Sequence, residues 1–527
     1  MRVGQKKTLI ILAAVVLLGA FLRFYKLGEV SFSADEFLGV NVAYGYLQTG
    51  EWKRWDFNLG KLADDKPYFK TVFDFDIWNG GERSYTRAWM YNWQIVQFLK
   101  FLPADKESTF RAASALWGVI TIFIVYWTAA AFTGNKIIGL ISAFLFAVSI
   151  DGITFDRKAR MYAMFLPVFL LFSHFVYQFF ESKKYFGSGL VKKIKIKTGF
   201  NVIYIIPAIA LGLLSAHLHL LTFNIIPALL VYFLILAFME AKNRKVFLNH
   251  YTVYVLAAAA LPAALFIFCP NILSLLKSFL TPNDHFSYIG KVLSDYASGI
   301  LALALIISGT AYLWNREKKK CVFISSLFWI TLLAAIFFWN RSAGEQYIFF
   351  IKPFQIILLS SGIYFTSKFI GKNFKQYGRK FYWVSLAALI LLLPDYAYFF
   401  QENNAYHQNS NSEHPNYRKV FGYFLKNKKE SDALITRNFR NYYFAGANAK
   451  VFSIGGERAG SEEKKLTLKR LKKIMRENSR GWIIFSDNDK SFISKDAREY
   501  VIKKTERVSN SKVRGPVSVY YWRDERE

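Results

Sequence analysis

Two adjacent carboxylates near the start of the chain have the residue types needed for acid–base chemistry. Asp35 and Glu36 lie in the stretch SFSADEFLGV (31–40), shortly after a long apolar run. Carboxylates at the water edge of a membrane cost little, whereas carboxylates at its centre cost a few kcal/mol or more. Taken alone, the pair is explained as part of a solvated loop, so its chemistry has to be judged from neighbouring charged segments.

A second charged segment lies between two apolar runs, in SIDGITFDRKARMYAMF (149–165). Its candidate polar residues are Asp151, Asp156, Arg157, Lys158, Arg160 and Tyr162. Positive side chains at an outer membrane surface run against the usual orientation bias and therefore need a reason. A guanidinium fork matches phosphate oxygens. Carboxylates facing guanidiniums at a lipid-facing opening suit a substrate with a hydroxyl to deprotonate and a phosphate to hold.

The composition indicates that helices crossing a membrane position these residues. The chain has 527 residues, of which 53% are hydrophobic and 18% aromatic, with mean hydropathy +0.19. Repeated apolar runs are long enough to cross a hydrocarbon core of about 30 Å. The fold class is therefore a polytopic α-helical membrane protein with about eleven transmembrane helices, at about 8–24, 111–133, 137–153, 160–181, 200–217, 218–240, 251–272, 298–314, 321–339, 347–367 and 381–400.

The net charge of +31 fits such a protein without nucleic acid as a partner, because Lys and Arg flank helices and contact anionic lipid. The two cysteines, Cys269 and Cys321, give neither a disulfide framework nor a metal-binding spacing. The start of the chain also has features of a signal peptide, but no small-residue cleavage site follows, which favours a retained first helix.

Orientation follows from the basic loops. With a cytoplasmic N-terminus, the basic segments 181–197, 240–245, 315–320 and 368–380 all face the cytoplasm. The segment 25–110, which carries Asp35 and Glu36, then faces outside, as does the chain after about residue 400. The expected location is the cell membrane.

Three regions are expected along the chain. Residues 1–400 form the transmembrane domain, in which 25–110 is a large first outer loop with interfacial helices. Residues 401–414 form a polar linker. Residues 415–527 alternate short strands with a basic helix, which predicts a small extracytoplasmic α/β domain.

The pair Asp35–Glu36 and the stretch 107–165 together resemble the GT-C superfamily of membrane glycosyltransferases. Within it they resemble the branch of protein O-mannosyltransferases and the lipid A aminoarabinose transferase. The features shared in 107–165 are Arg111 at the start of the second span, a Gly-centred turn after that span, and an R-x-x-R-x-Y-like start to the fourth span (Arg157, Arg160 and Tyr162). The layout of residues 5–400 is similar, whereas the motifs are specific only over 30–40 and 107–165.

The resemblance implies an enzyme that moves a sugar from a polyprenyl-phosphate donor, with inversion at the anomeric carbon, to an acceptor at the outer face. The sugar is a hexose or a pentose, and the acceptor is a lipid, a polysaccharide or a protein. Asp35 is then the catalytic base, which takes the acceptor's proton. Glu36 orients Asp35 or binds the acceptor, and Asp156 shapes an acceptor or metal site.

The leaving phosphate needs positive or hydrogen-bonding partners. The candidates are Arg111, Arg157, Arg160, Tyr162, Arg341 and Lys352. Candidates for acceptor contacts or a mobile lid are Asp284, His285, Glu345 and Gln346. His217 and His219, two residues apart, are candidate ligands of a divalent metal, although such histidines are more often interfacial side chains satisfied by backbone or water. No cofactor is otherwise required.

The alternative from another class is a transporter or flippase for polyprenyl-linked glycolipids. Such proteins tend to show repeated halves and ionisable residues at mid-span. The chain shows no convincing internal repeat, and its acids cluster at one face, which favours the enzyme. The sequence also lacks a WWDYG segment, which disfavours the oligosaccharyltransferase branch.

Overall fold

The computed structural model describes residues 4–63, 88–182, 189, 192–193, 196, 199–244, 249–268, 283–339, 344–374, 376–409, 415–455, 465–508 and 517–523. Seven helices in this part of the chain are long and apolar enough to cross a membrane. They are Gln5–Phe24, Glu107–Thr133, Tyr162–Glu181, Leu220–Asn243, Gly299–Arg316, Lys318–Phe337 and Phe349–Asn373. The protein is therefore a multi-pass membrane protein.

The predicted count of eleven spans is not confirmed. Among the described residues, a bent pair of helices raises the count from seven to at most eight. The other three predicted positions hold the helices Ile205–Leu218, His250–Phe268 and Gly378–Leu392. The first and last have 14 and 15 residues, fewer than the roughly 20 that a straight crossing needs.

The bent pair brings the second charged segment into place. The helices Lys136–Val148 and Ile150–Asp156 meet at 59°. Ser149 between them has an extended backbone, and its hydroxyl caps the second helix by accepting from the Gly152 N–H at 3.0 Å. A tight turn of residues 157–161 then leads into the helix Tyr162–Glu181.

The remaining helices of the transmembrane part are shorter or lie outside the spans. Two of them, Glu36–Thr49 and Trp89–Leu99, lie between the first two spans, together with a small antiparallel ribbon of β1 (Trp55–Asp56) and β2 (Lys61–Leu62). The others are Ser287–Leu293 and the 3₁₀ turns Val202–Tyr204, Glu345–Tyr347 and Tyr396–Phe400. Two further 3₁₀ turns, Leu220–Asn224 and Phe349–Ile351, form the first residues of two spans. A π-helical turn, Ser326–Ile330, interrupts the span Lys318–Phe337.

The C-terminal part contains a five-stranded sheet in the order β4-β3-β5-β7-β6. Its strands are β3 (Ala433–Thr436), β4 (Lys450–Ser453), β5 (Arg480–Ser486), β6 (Glu506–Arg507) and β7 (Val517–Arg523). β3 pairs in parallel with β4 and β5, and β7 pairs antiparallel with β5 and β6.

Helices cover both faces of this sheet. Leu434 and Trp482 point to the face that packs with the helix Tyr417–Asn427 and the transmembrane part, and Ile435 and Ile483 point to the opposite face. The helices are Tyr417–Asn427, Leu468–Glu477 and Lys495–Lys504, with 3₁₀ segments Asn438–Phe444 and Asp487–Phe492.

Candidate functional site

Asp35 lies at the start of the helix Glu36–Thr49, and 66% of its side chain is exposed. Its carboxylate makes no capping hydrogen bond to this helix. Arg160 approaches it from the turn before the helix Tyr162–Glu181. One Arg160 nitrogen, Nη2, is 3.8 Å from Asp35 Oδ2, and Nη1 donates to the Asp35 carbonyl at 2.9 Å. The two charged segments therefore meet at Asp35 and Arg160.

Glu36 has the opposite environment, since only 1% of its side chain is exposed. Its two oxygens accept from Nε and Nη2 of Arg111 at 2.8 and 2.9 Å. They also accept from the backbone N–H groups of Ala159 and Ser33, both at 2.8 Å. Burial raises the pKa of Glu36, but Arg111 and these N–H groups outweigh it, so the pKa lies below its ordinary value. Glu36 thus joins the loop that carries Asp35 to the turn that carries Arg160.

All five N–H groups of Arg111 form hydrogen bonds in this arrangement. Two of its five N–H groups donate to Glu36, and the other three donate to the carbonyls of Leu27, Val30 and Ser31 at 2.7 to 3.2 Å. No N–H group is left for a donor phosphate. The geometry therefore argues against Arg111 as a phosphate ligand and makes it a residue that positions the loop.

Arg157 is also committed to backbone carbonyls. Its guanidinium donates to carbonyls at the end of the first helix and in the linker, those of Leu22, Arg23, Tyr25, Lys26 and Ala405. It stacks 4.4 Å from the Tyr406 ring centroid. Burial lowers the pKa of Arg157 to about 10, although Tyr406 opposes the shift. Arg157 caps the first helix, which argues against a phosphate ligand here as well.

Asp156 forms a buried ion pair instead of facing a substrate. Its Oδ2 accepts from Nε of Arg23 at 2.7 Å, and neither side chain is more than 1% exposed. Arg23 also donates to the carbonyls of Ala147 and Phe146. The pair ties the first helix to the bent pair of helices, and this geometry argues against an acceptor or metal role for Asp156. Sequence reasoning missed Arg23, although an arginine near the end of an apolar run requires a partner.

Lys352 is held between two carboxylates. Its Nζ is 2.9 Å from Asp151 Oδ2 and 2.9 Å from Asp295 Oδ2. Asp295 in turn accepts from the Ser149 hydroxyl at 2.5 Å and from the Asp151 N–H at 3.0 Å. A buried ammonium paired twice is poorly placed to hold a phosphate. The structure brings in Asp295, which the sequence analysis did not single out.

Lys158 provides a second cation near Asp35. Within the described residues its ammonium forms no hydrogen bond or ion pair, and it lies 5.1 Å from the Phe155 ring centroid. Burial lowers the pKa of Lys158, whereas the carboxylates of Glu36, Glu345 and Asp35 act against that shift. Lys158 is thus half-buried and lies near several carboxylates, and its ammonium has no bonded partner among the described residues.

Aromatic side chains extend the site from Arg160. The guanidinium carbon of Arg160 is 5.7 Å from the Tyr162 ring centroid. The rings of Tyr162 and His219 are 5.5 Å apart, and those of His219 and Tyr347 are 6.5 Å apart. The structure therefore brings Tyr162 and His219 to the same side as Arg160.

The two histidines make separate contacts. His219 accepts the Leu221 N–H at 3.1 Å through Nδ1, and the His217 ring lies 5.9 Å from the Trp89 ring. In the described part of the chain, no group of three or more His, Cys, Asp or Glu side chains could hold a metal ion. A histidine metal site therefore finds no support among these residues.

The remaining candidates lie in two segments, one before the helix Ser287–Leu293 and one after the span Lys318–Phe337. Asp284 and His285 precede the helix Ser287–Leu293, and the His285 N–H donates to the Ile336 carbonyl at 3.0 Å. Exposed Glu345 and half-buried Gln346 belong to the 3₁₀ turn Glu345–Tyr347. Arg341 lies outside the described residues. Their roles as acceptor, lid or phosphate contacts stay predictions.

Comparison with solved structures identifies the fold. The structure of ArnT from Cupriavidus metallidurans bound to undecaprenyl phosphate matches with a TM-score of 0.55 and 10% identity, over 98% of both chains. The archaeal oligosaccharyltransferase AglB from Archaeoglobus fulgidus, in complex with an inhibitory peptide and a dolichol-phosphate, matches with a TM-score of 0.58 and 10% identity. That match covers 99% of this chain and 74% of AglB. No family model and no curated protein sequence matches the chain.

The chain therefore shares the fold of ArnT and AglB, which confirms the fold expected from the GT-C resemblance of Asp35–Glu36 and residues 107–165. Both named structures are similar to this chain over nearly all of its length. At this level of identity the likeness shows the fold, and it does not separate the branches of the superfamily.

Proposed function

We propose that the protein is an inverting membrane glycosyltransferase that uses a polyprenyl-phosphate-linked sugar. One observation carries the proposal. Of the three carboxylates predicted to be catalytic, Asp35 has 66% of its side chain exposed, whereas Glu36 and Asp156 each have 1%. The fold supports the proposal, because the similar structures of ArnT and AglB contain undecaprenyl phosphate and a dolichol-phosphate.

Asp35 serves as the general base. As the acceptor hydroxyl attacks the anomeric carbon, its proton passes to a carboxylate oxygen of Asp35. The bond between the anomeric carbon and the phosphate oxygen breaks in the same step, and its electron pair leaves with the polyprenyl phosphate. Inversion follows because attack and departure take place on opposite faces of the sugar.

Arg160 and Lys158 serve as partners of the departing phosphate. The charge on the phosphate grows as the bond breaks, so nearby cations stabilise the transition state more than the ground state. Arg160 is held by its contact with the Asp35 backbone, and Lys158 has an ammonium without a bonded partner among the described residues. Arg111 and Arg157 act by holding the two segments in place.

The site is assigned to the outer face of the membrane, with a cytoplasmic N-terminus and an extracytoplasmic C-terminal domain. The basic loops of the sequence support this orientation. The acceptor is an outer-face hydroxyl or phosphate on a lipid, a polysaccharide or a protein.

The test is a glycan comparison in the source organism. Deleting the gene removes one sugar mass from a surface glycolipid, glycoprotein or polysaccharide, as read by mass spectrometry. The wild-type gene restores that mass, whereas Asp35→Asn lowers transfer by about 10²- to 10⁴-fold, the usual contribution of a general base.

A matched control is Glu29→Gln, which neutralises an exposed carboxylate on the same loop. It should restore the mass as well as the wild type does. The proposal fails if deletion changes no glycan, or if Asp35→Asn, present at wild-type abundance, restores the full mass.

A further inference from the structure

The loop of residues 27–35 that leads to Asp35 is not helical, so its peptide groups need partners outside a regular element. Arg111, in the span Glu107–Thr133, donates to the carbonyls of Leu27, Val30 and Ser31. These bonds hold the loop against that span.

The C-terminal part of the chain supplies further bonds to the loop. Arg418 donates to the carbonyls of Gly28 and Glu29, the latter at 3.1 Å, and pairs with Glu107 at 2.9 Å through Nε. The side-chain oxygen of Gln408 accepts from both the backbone N–H and the hydroxyl of Ser31, at 3.3 and 3.0 Å. The loop is thereby clamped between the two parts of the molecule.

Among the hydrogen bonds from the C-terminal part to residues 27–35, the one made by Tyr443 is nearest to Asp35 in the sequence. Its hydroxyl accepts from the Phe32 N–H at 2.6 Å and donates to Glu107 Oε1 at 3.0 Å. Tyr443, Phe32 and Glu107 are all buried. The Tyr443 hydroxyl therefore connects the C-terminal part of the chain, the loop of residues 27–35 and the start of the span Glu107–Thr133.

Aromatic packing fixes the same loop on both sides of Asp35. The ring of Phe32 lies 6.0 Å from the Tyr443 ring, and the ring of Phe37 lies 5.6 Å from it. The helix that follows Asp35 is joined to the same segment, because Asn41 donates to the Phe439 carbonyl at 3.2 Å. Chain on either side of Asp35 is thus packed against the segment Asn438–Phe444.

We infer that the C-terminal domain helps to position Asp35. Tyr443 is the positioning residue, because its hydroxyl fixes the place of the loop of residues 27–35. The inference rests on the proposed function of Asp35 as general base. A proton acceptor must meet its partner at hydrogen-bond distance, so a loop displaced by about 1 Å lowers the rate by on the order of a hundredfold. Tyr443 is buried and is assigned no contact with either substrate.

Tyr443→Phe tests this with the loss of one oxygen. The matched control is Tyr442→Phe, because the Tyr442 hydroxyl makes only a 3.4 Å bond to the Ala104 carbonyl among the described residues, and both variants keep their rings. Each full-length variant is compared with wild type in the complemented deletion strain, at matched abundance, by the amount of glycan that regains the sugar mass. Binding of undecaprenyl phosphate to the purified variants is measured in parallel.

The expected result is transfer lowered by on the order of tenfold to a hundredfold for Tyr443→Phe, with undecaprenyl phosphate bound as tightly as by wild type. Tyr442→Phe should match wild type in both measurements. A role in stability alone would lower binding and transfer together through loss of folded protein. Arg418→Gln provides a second variant, which should lower transfer in the same direction because it frees the Gly28 and Glu29 carbonyls.

The outcomes separate the two proposals. If Asp35→Asn abolishes transfer but Tyr443→Phe and Arg418→Gln behave as Tyr442→Phe does, the positioning role is overturned and the proposed function stands. If Asp35→Asn transfers normally, the proposed function itself has failed. Equal loss of binding and transfer in Tyr443→Phe also overturns the positioning role.

Discussion

Asp35 and Glu36 are neighbours in the chain, yet one exposes 66% of its side chain and the other 1%. Asp35 meets Arg160 only at 3.8 Å, whereas Glu36 forms two short bonds to Arg111. We define the Asp35 site as Asp35, Lys158 and Arg160. Its charged groups have fewer bonded partners than the charged groups buried within the helix bundle. The difference divides residues that are available to a substrate from residues already used by the fold.

The buried charges join segments that are distant in sequence. Within the described helix bundle these groups are Glu36 with Arg111, Arg23 with Asp156, and Lys352 with Asp151 and Asp295. A charge removed from water is costly unless it is paired and hydrogen-bonded, so these partners cannot be given up to a ligand without a large penalty. They fix the geometry in which the exposed charges act.

The largest effect is expected when one partner of a buried group is removed. Arg111→Met leaves Glu36 buried without its counter-charge and removes three bonds to loop carbonyls. We expect the free energy of unfolding to fall by about 3–5 kcal/mol, as is usual for an uncompensated buried charge. Denaturant titration of the purified protein in detergent measures the change.

Arg160→Met is the matched comparison from the Asp35 site. It removes a partly exposed guanidinium whose ion pair spans 3.8 Å, so the unfolding free energy should change by about 1 kcal/mol or less. Equal destabilisation by both variants would erase the distinction between the two groups of charges. Adding Glu36→Gln to Arg111→Met should recover part of the loss.

The sequence predicts the class of fold because its signals are local. Apolar runs and basic loops are read directly along the chain, and the motif at Arg157, Arg160 and Tyr162 pointed to the GT-C fold that the comparisons confirm. Span lengths were harder to predict. The bend at Ser149 depends on a cap and on Asp295, which lies far away in the sequence.

Partners of individual charges could not be read from the sequence, since pairing depends on how helices pack. Arg111 and Arg157 resemble phosphate ligands by residue type, and only the bonds to carbonyls and to Glu36 show that they are occupied. Lys158 became prominent for the opposite reason, because the described residues leave its ammonium without a bond.

Lys158→Met tests whether the Lys158 ammonium at the Asp35 site binds a phosphate. If this ammonium binds the donor phosphate, its loss should weaken binding of undecaprenyl phosphate by about 1.5–3 kcal/mol, the contribution of a hydrogen bond to a charged group. Each 1.4 kcal/mol corresponds to a tenfold change in Kd, so the expected range is roughly tenfold to more than a hundredfold. Titration of the lipid in detergent measures it.

Lys100→Met serves as the control, because this exposed lysine bonds only to Gln97 among the described residues. Its Kd should equal that of wild type. A Lys158→Met protein that binds the lipid normally would remove Lys158 from the site and leave Arg160 as the remaining described cation beside Asp35.

The last prediction concerns Gly118, where the fold makes room for a buried ion pair. A Cβ atom there would lie closer to Asp156 Oδ2 and Arg23 Nε than real Cβ atoms approach. Those two atoms are joined at 2.7 Å and cannot move apart without breaking the pair. Gly118→Ala should therefore destabilise the protein by about 1–3 kcal/mol, the usual cost of overpacking, despite the better helix propensity of alanine.

Gly422→Ala, in a helix with open space around it, should instead stabilise by up to about 1 kcal/mol. If unfolding in detergent shows that both variants are stabilised, helix propensity outweighs the ion pair, and the buried charges constrain the bundle less than their distances indicate.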